Sequence, residues 1–155
     1  MAVSDQGLVS VSYGNEASDL ARRRGLVEPQ LSFERTSQAL QQIEEYLQGE
    51  RQKFTLSIDW TGLTPFLKQI LEATCNIPFG ETTTYKALAL QAGKPRAARA
   101  VGRAQALNPM PLVVPCHRVV GSNGGLHGYN GPQGVQTKAW LLAMERRVRS
   151  GGDLH

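Results

Sequence analysis

Cys116 is followed directly by His117 and Arg118 in the run Pro115-Cys116-His117-Arg118-Val119-Val120. A thiol attacks carbon poorly and a thiolate attacks it well, and a neighbouring imidazole or guanidinium favours the thiolate. The run is therefore equipped for covalent chemistry at sulfur. Prolines and glycines on both sides, from Pro109 and Pro115 to Gly121 and Gly124, predict a rigid loop outside regular strand pairing. Alone, a Cys-His neighbour pair is a weak signal. It also fits chance, or half of a metal site completed by His127 and Cys75, although no zinc-type ligand spacing is present. Two cysteines make no disulfide framework, so a reducing compartment with both thiols free is the simplest setting.

The elements that must position this loop precede it. Thr84 can cap a helix running from Tyr85 to Ala92 and ended by Gly93, and Arg96 to Leu107 reads as a second helix before Asn108-Pro109. Two helices joined by a Gly-Lys-Pro turn match a helix-turn-helix. In the second, Ala97, Ala98, Ala100, Gly102, Ala104 and Ala106 leave a slim rod studded with Arg96, Arg99 and Arg103. A minor groove is only about 6 Å wide, so a thin basic helix could lie there where a bulky one could not. The alternative, tight packing of the alanines against another helix, would have to house the interleaved arginines. Upstream, Thr64-Pro65 is a cap followed by proline at the first helical position. Phe66, Ile70 and Ala73, with Leu67, Leu71 and Thr74, give that helix an apolar face, and Cys75 closes it as a small packed hydrophobe. Ile77-Pro78-Phe79-Gly80 is a turn.

Residues 1–60 read as a small mixed unit without chemical motifs. Val9, Val11 and Tyr13 alternate with Ser10 and Ser12 as in a half-buried strand, and Asn15 to Arg24 suits a short polar helix before a break at Glu28-Pro29-Gln30. From Ser37, the residues Leu40, Ile43 and Leu47 recur at helical spacing up to Gly49, and Phe54, Leu56, Ile58 and Trp60 alternate as a second strand. With 155 residues, 41% of them apolar, the chain can build one domain or two small ones sharing a core. Charge divides unevenly: residues 1–79 carry −3 and residues 80–155 carry +7, for a net +4. A basic half suits a polyanion, because each phosphate neutralised releases counterions, and it suits a solvated basic face equally well. Met1 to Leu8 lacks the basic and apolar runs of a secretory signal, and no stretch approaches the ~20 apolar residues that span a membrane.

From about Pro65 to Glu145 the chain resembles the O6-alkylguanine-DNA alkyltransferases, the methylated-DNA–protein-cysteine methyltransferases. The resemblance rests on Pro78-Phe79-Gly80-Glu81 with Thr84-Tyr85, on Ala97-Ala98-Arg99-Ala100-Val101-Gly102 with Asn108-Pro109, and on Pro115 to Val120. Gly128-Tyr129 and Lys138…Leu141-Leu142…Glu145 extend it. It implies an α+β fold: a small ribonuclease-H-like N-terminal α/β domain over residues 1–60 and a mostly helical domain over 61–150, with a tail at 151–155. The second domain would carry a winged-helix-like helix-turn-helix and the active-site cysteine loop. The activity implied is direct, irreversible, single-turnover transfer of an alkyl group from O6-alkylguanine in DNA to Cys116, with O4-alkylthymine left open as a second substrate. It needs neither a metal nor an organic cofactor.

The family's roles fall on this chain as follows. Cys116 accepts the alkyl group, His117 is a base acting through a water, and Glu145 orients that imidazole. Tyr85 helps protonate the departing guanine and crowds a phosphate, and Asn108 ties the helix-turn-helix to the cysteine loop. Arg99 fills the gap left by a base flipped out of the duplex, with Thr84, Arg96, Ala97, Ala98 and Arg103 along the DNA. Pro111, Val119, Tyr129 and Asn130 line the guanine pocket. The partner implied is double-stranded DNA carrying alkylated guanine, with no membrane involved. The protein would be a monomer in solution, its cooperativity on DNA left open, in the cytoplasm or, in a eukaryote, the nucleus. Two departures stand out: the run Asn130 to Thr137 is longer than usual by about two residues, with Asn130 where Ser or Gly is common, and most of the first N-terminal strand is missing. Three other readings compete. A lesion-binding relative usually has tryptophan at the cysteine position, a cysteine hydrolase needs an oxyanion hole, and a sequence-reading regulator needs groups that reach base edges.

Overall fold

The computed structural model describes residues 1–12 and 33–152. Its mostly helical half begins where the sequence places a cap. Thr64 adopts an extended backbone and its hydroxyl accepts from Leu67 N, starting helix α2 (Pro65–Cys75) with proline in the first turn. The buried face of α2 is Ile70, Leu71 and Thr74. Cys75 ends the helix, but it is exposed, so the packing role expected for it is not what the structure shows. Thr84 repeats the device: its hydroxyl accepts from Ala87 N and opens α3 (Tyr85–Gln91). Gly93, at φ 71°, turns the chain toward α4 (Ala98–Ala106). Leu88 and Ala89 of α3 meet Val101 and Ala104 of α4 in one apolar cluster with Ile70, Ile77 and Val119. The helix starts two residues later than expected, which leaves Arg96 ahead of its cap; Arg96 there and Arg99 and Arg103 on the helix are all exposed.

The cysteine run forms a short 3-10 turn, Cys116–Arg118, and then, contrary to expectation, a strand: β4 (Val119–Val120) pairs in parallel with β3 (Thr83–Thr84). Flanking prolines therefore confine the irregular backbone to the residues before Val119. This pairing ties the thiol's loop to the start of the helix-turn-helix. Asn108 ties it again, with Nδ2 donating to Val114 O at 2.9 Å and Oδ1 accepting from Met110 N at 2.9 Å. The last helix, α5 (Val135–Arg149), begins three residues earlier than the resemblance suggested. Part of the apparent loop extension, Val135 to Thr137, is its first turn.

The N-terminal segment contributes two short antiparallel strands, β1 (Ala2–Val3) and β2 (Leu8–Ser10), and helix α1 (Phe33–Leu47). Three expectations change here. Val9 and Ser10 are both buried, so β2 is covered on both faces and not half-exposed. The segment Phe54 to Trp60 keeps its alternation of half-buried and exposed residues as far as Ser57, yet joins the sheet only through a bridge between Leu8 and Ile58. Helix α1 buries Ala39, Gln42 and Tyr46, whereas Leu40 and Leu47 are exposed, so its inward face is rotated from the leucine stripe. Gln42 explains the rotation: its amide pairs with Thr55 N and Thr55 Oγ1, both at 2.9 Å, pinning α1 to the following segment. The expected Tyr13 strand position, the polar helix at Asn15 to Arg24 and the break at Glu28-Pro29-Gln30 lie outside the described residues. Val3, Leu8, Val11 and Ala39 share one core cluster with Leu71, Met110, Val113 and Val114, which makes the two halves a single packed body. No helix among the described residues is long and apolar enough to cross a membrane.

Replacing the α3 cap, Thr84→Ala, is expected to cost about 1 kcal/mol in urea unfolding, with Thr84→Ser retaining most of it. Equal losses from both variants would show that the threonine methyl, and not the capping oxygen, carries the effect.

Candidate active site

Glu145 sits on α5 with no solvent exposure, surrounded by donors. His117 Nε2 lies 2.8 Å from its Oε1, Tyr46 Oη donates to the same oxygen at 2.6 Å, and Gly80 N donates to Oε2 at 2.9 Å. Arg118 adds its Nε at 3.1 Å to each oxygen and its Nη2 at 2.8 Å to Oε1. Burial by itself would raise this carboxyl, but the bonds and charges of His117 and Arg118 overcome it and hold the carboxyl at about 2. Glu145 is therefore an anion at neutral pH. The turn at Gly80 serves it directly: the backbone takes φ 73° there, and a Cβ would come within 2.8 Å of Arg149 Cδ.

His117 follows from its partners. Tyr46 Oη lies 3.1 Å from Nε2. An ionised carboxylate only accepts, so the hydrogen of the neutral ring resides on Nε2 and the lone pair on Nδ1. Nδ1 is buried and hydrogen-bonds no protein atom. Burial lowers the imidazole's affinity for protons, and the Glu145 hydrogen bond opposes it. Arg118 is not spent on the thiol as its position in the sequence suggested. Besides Glu145 it binds Ile77 O at 2.6 Å and lies over the Phe79 ring at 5.6 Å.

Cys116 opens onto a cavity of about 560 Å³ between α4 and the loop before α5. Tyr85, Arg99, Gly102, Gln105, His127, Tyr129, Asn130 and Lys138 share its wall. Burial pushes the Cys116 thiol up, while hydrogen bonding to Asn108 and the ammonium of Lys138 pull it down. Lys138 is itself buried, its Nζ donating to Val119 O at 2.7 Å, to His127 O at 3.1 Å and to Tyr85 Oη at 3.4 Å. Its burial lowers its proton affinity and Cys116 raises it. Among the described residues no group of three His, Cys, Asp or Glu side chains could hold a metal, and Cys75 lies in a different groove from Cys116.

Residues 65–147 match the family model described as "6-O-methylguanine DNA methyltransferase, DNA binding domain". The chain belongs to that family. A methylated-DNA–protein-cysteine methyltransferase of Methanosarcina barkeri is 46% identical over 108 residues, which cover 70% of this chain and 66% of that protein. The constitutive enzyme of that name from Bacillus subtilis is 44% identical over 110 residues, covering 71% and 66%. The match thus spans just under two thirds of the length of either relative. Among solved structures, Mycobacterium tuberculosis OGT in complex with DNA superposes with a TM-score of 0.69 at 41% identity, over 76% of this chain and 70% of that one. The O6-methylguanine-DNA methyltransferase of Pyrococcus kodakaraensis gives 0.67 at 28% identity, over 93% and 89%.

For a member of the 6-O-methylguanine DNA methyltransferase family, the structure gathers most of the residues named from sequence. Cys116, Tyr85, Arg99, Ala98, Tyr129 and Asn130 meet at the cavity, and Asn130 Nδ2 also holds Ala106 O at 2.6 Å. Arg96 and Arg103 lie exposed, Ala97 and Thr84 half-buried beside them. Val119 and Pro111 do not line the cavity: Val119 packs into the helical core, and Pro111 is buried in a bridge with Val114. Glu145 as a surface residue, the alternative raised by its neighbours Arg146 and Arg147, is excluded by its burial. Sequence reading missed Lys138 and Tyr46 as site residues. A lysine in a helix reads as solvated, and Tyr46 lies in the segment expected to be silent. The one available hint was its offset of −1 from Leu47 in a helix whose leucine stripe proved to be outside.

Because the folded carboxyl of Glu145 lies below its unfolded value of 4.5, its stabilisation is complete above that value and lost as pH falls toward 2. The amount at stake is roughly 3 kcal/mol. Glu145→Gln, which leaves Arg118 buried without a counter-charge, is expected to lose about 3–5 kcal/mol at neutral pH and to be less sensitive to acid than the wild type. Urea unfolding at several pH values checks both, and an unchanged acid sensitivity would contradict the assignment.

Proposed function

We propose that this protein repairs DNA by transferring an alkyl group from O6-alkylguanine onto Cys116, once per molecule. The observation that carries the reading is a thiol that shares a cavity large enough for a purine with an arginine-bearing helix, next in sequence to a buried imidazole whose Nδ1 has no hydrogen-bond partner. The names of the relatives, and the Mycobacterium tuberculosis OGT bound to DNA, support DNA as the partner.

The chemistry follows from the groups present. The alkylated oxygen lies inside a duplex, so the nucleotide must rotate out, at a cost of a few kcal/mol. Arg99, exposed on α4 and flanked by alanines, is shaped to enter the minor groove and fill the vacated stack. The Cys116 proton passes through a water to His117 Nδ1, and Glu145 stabilises the imidazolium formed. The sulfur lone pair forms an S–C bond as the C–O6 bond breaks, its electrons going to the guanine ring. Guanine takes a proton from Tyr85, whose hydroxyl touches the Lys138 ammonium, so a transient tyrosinate has a cation beside it. Burial, with Cys116 second, raises the Tyr85 hydroxyl, which therefore stays protonated until the base needs it. The product is a thioether, and nothing in the site removes it.

The basic face of residues 80–155 would track phosphates, giving salt-sensitive binding. The domain roles go with this reading: residues 1–60 as a reduced ribonuclease-H-like unit and 61–150 as the winged helix-turn-helix that binds DNA and transfers the group, followed by a short tail. So do a monomeric state, action without metal or organic cofactor, and a cytoplasmic location. The long superposition on the Pyrococcus kodakaraensis protein supports the two-part architecture.

Mixing the protein with a duplex bearing one O6-methylguanine and weighing it intact is the test. One methyl gained per molecule in a single burst, mapped to Cys116 and absent from Cys116→Ala, is expected. Tight binding with no mass gained would identify a lesion-binding relative instead.

A further inference from the structure

Tyr46 lies 71 positions before His117 and 99 before Glu145, on helix α1, outside every run that the family resemblance covers. It is fully buried, and its hydroxyl reaches both members of the pair. From this geometry we infer that Tyr46 is a positioning residue for alkyl transfer, its hydroxyl holding His117 in the tautomer that keeps the Nδ1 lone pair free for the Cys116 proton.

The argument is one of donors and acceptors. Glu145 is ionised and can only accept, so the phenol's single hydrogen goes to Oε1 across 2.6 Å. The phenol oxygen then presents only lone pairs to Nε2, 3.1 Å away. Both atoms hydrogen-bonded to Nε2 are thus acceptors, and the ring hydrogen is fixed there. Without the phenol, Nε2 would face one acceptor in place of two, and the preference for that tautomer would weaken. The hydroxyl is kept in place by its ring, which packs 5.2 Å from Phe54 and edge-on to Phe79 at 6.1 Å. Leu112, Leu141 and Met144 complete that cluster. Leu112 adopts φ 74° to enter it, a left-handed conformation unfavourable for leucine, so the loop leading to Cys116 is strained toward the same tyrosine.

A second effect acts on charge. Tyr46 draws electron density from Glu145, as Arg118 and Gly80 do, and so tempers the carboxylate's pull toward imidazolium. The groups facing His117 are Glu145 and Lys138 from α5, Tyr46 from α1, Cys116 and Arg118 on its own turn, and the Tyr129 ring edge at 6.4 Å. Removing the phenol's hydrogen bond leaves more negative charge facing the ring, which raises its proton affinity. A larger fraction of His117 would then already be protonated, and unable to act as base, near neutral pH.

This inference rests on the proposed transfer reaction, and two readouts separate them. In Tyr46→Phe, with Phe54→Leu as a packing control, ring ¹⁵N shifts of His117 are followed against pH. Single-turnover methyl transfer from a saturating O6-methylguanine duplex is followed in parallel. For Tyr46→Phe the His117 titration should move up by about one pH unit, and transfer should slow by no more than about threefold at neutral pH, approach a tenfold loss at lower pH and recover at higher pH, with duplex affinity unchanged. Phe54→Leu should lose stability but keep the wild-type titration. A titration of Tyr46→Phe that superimposes on the wild type, or an equal slowing of both variants at every pH, would overturn the role. A wild type that transfers no methyl at any pH would sink the reaction and the catalytic half of this inference. A moved titration would then still assign Tyr46 its hold on His117.

Discussion

One buried carboxylate organises this molecule. Glu145 has no access to water, and an anion in that position is tolerable only when donors replace its lost hydration. Those donors come from three places far apart in sequence: Tyr46 on α1, Gly80 in the turn after α2, and His117 with Arg118 beside the thiol. The turn at Pro78-Phe79-Gly80 is therefore no mere connection. It offers a backbone N–H to the carboxylate, a carbonyl from Ile77 to Arg118, and a ring beneath the guanidinium. Breaking any one partner leaves another buried polar group exposed to the same penalty, so the site and the fold are stabilised together.

The same anchor divides the work between the two sides of the cysteine turn. Behind it, Glu145, Arg118 and Tyr46 are packed and buried. In front, the cavity is walled by Tyr85, Arg99, Lys138 and Tyr129, which can meet a base and its phosphates. Cys116 stands at the boundary, and His117 Nδ1, which with Gln105 Oε1 is a buried side-chain atom without a hydrogen-bond partner among the described residues, takes its proton in the proposed reaction. The pairing of β3 with β4 and the two bonds of Asn108 transmit the position of α4 to the thiol. In the proposed reaction, one rigid unit would set the placement of Arg99 and of the Cys116 sulfur together.

Much of this was legible in the sequence where local rules dominate. Thr64-Pro65, Thr84 and Gly93 marked helix boundaries because caps and left-handed turns are decided by neighbours. The alanine-and-arginine helix was legible because no core accepts three exposed cations on so thin a rod. What stayed hidden depends on partners distant in the chain. Tyr46 went unremarked in a helix read from its leucines, and the leucines at 40 and 47 pointed to the wrong face because Gln42 and Tyr46 find polar partners that periodicity cannot foresee. Lys138 entered only as a position in the last motif, because a lysine's burial is set by carbonyls, those of Val119 and His127, that only the fold brings to it. Arg118 looked like a companion of the thiol because adjacency in sequence says nothing of which way a side chain turns.

The central claim is that the Glu145 assembly prepares His117 to take the proton of Cys116. The most direct measurement is the single-turnover rate of methyl transfer by His117→Gln at saturating duplex, with binding measured alongside. The account predicts a rate lower by about a hundredfold or more, as for loss of a general base, with duplex affinity retained. A rate close to that of the wild type would contradict it and leave the thiol to be activated by Lys138 and the loop alone.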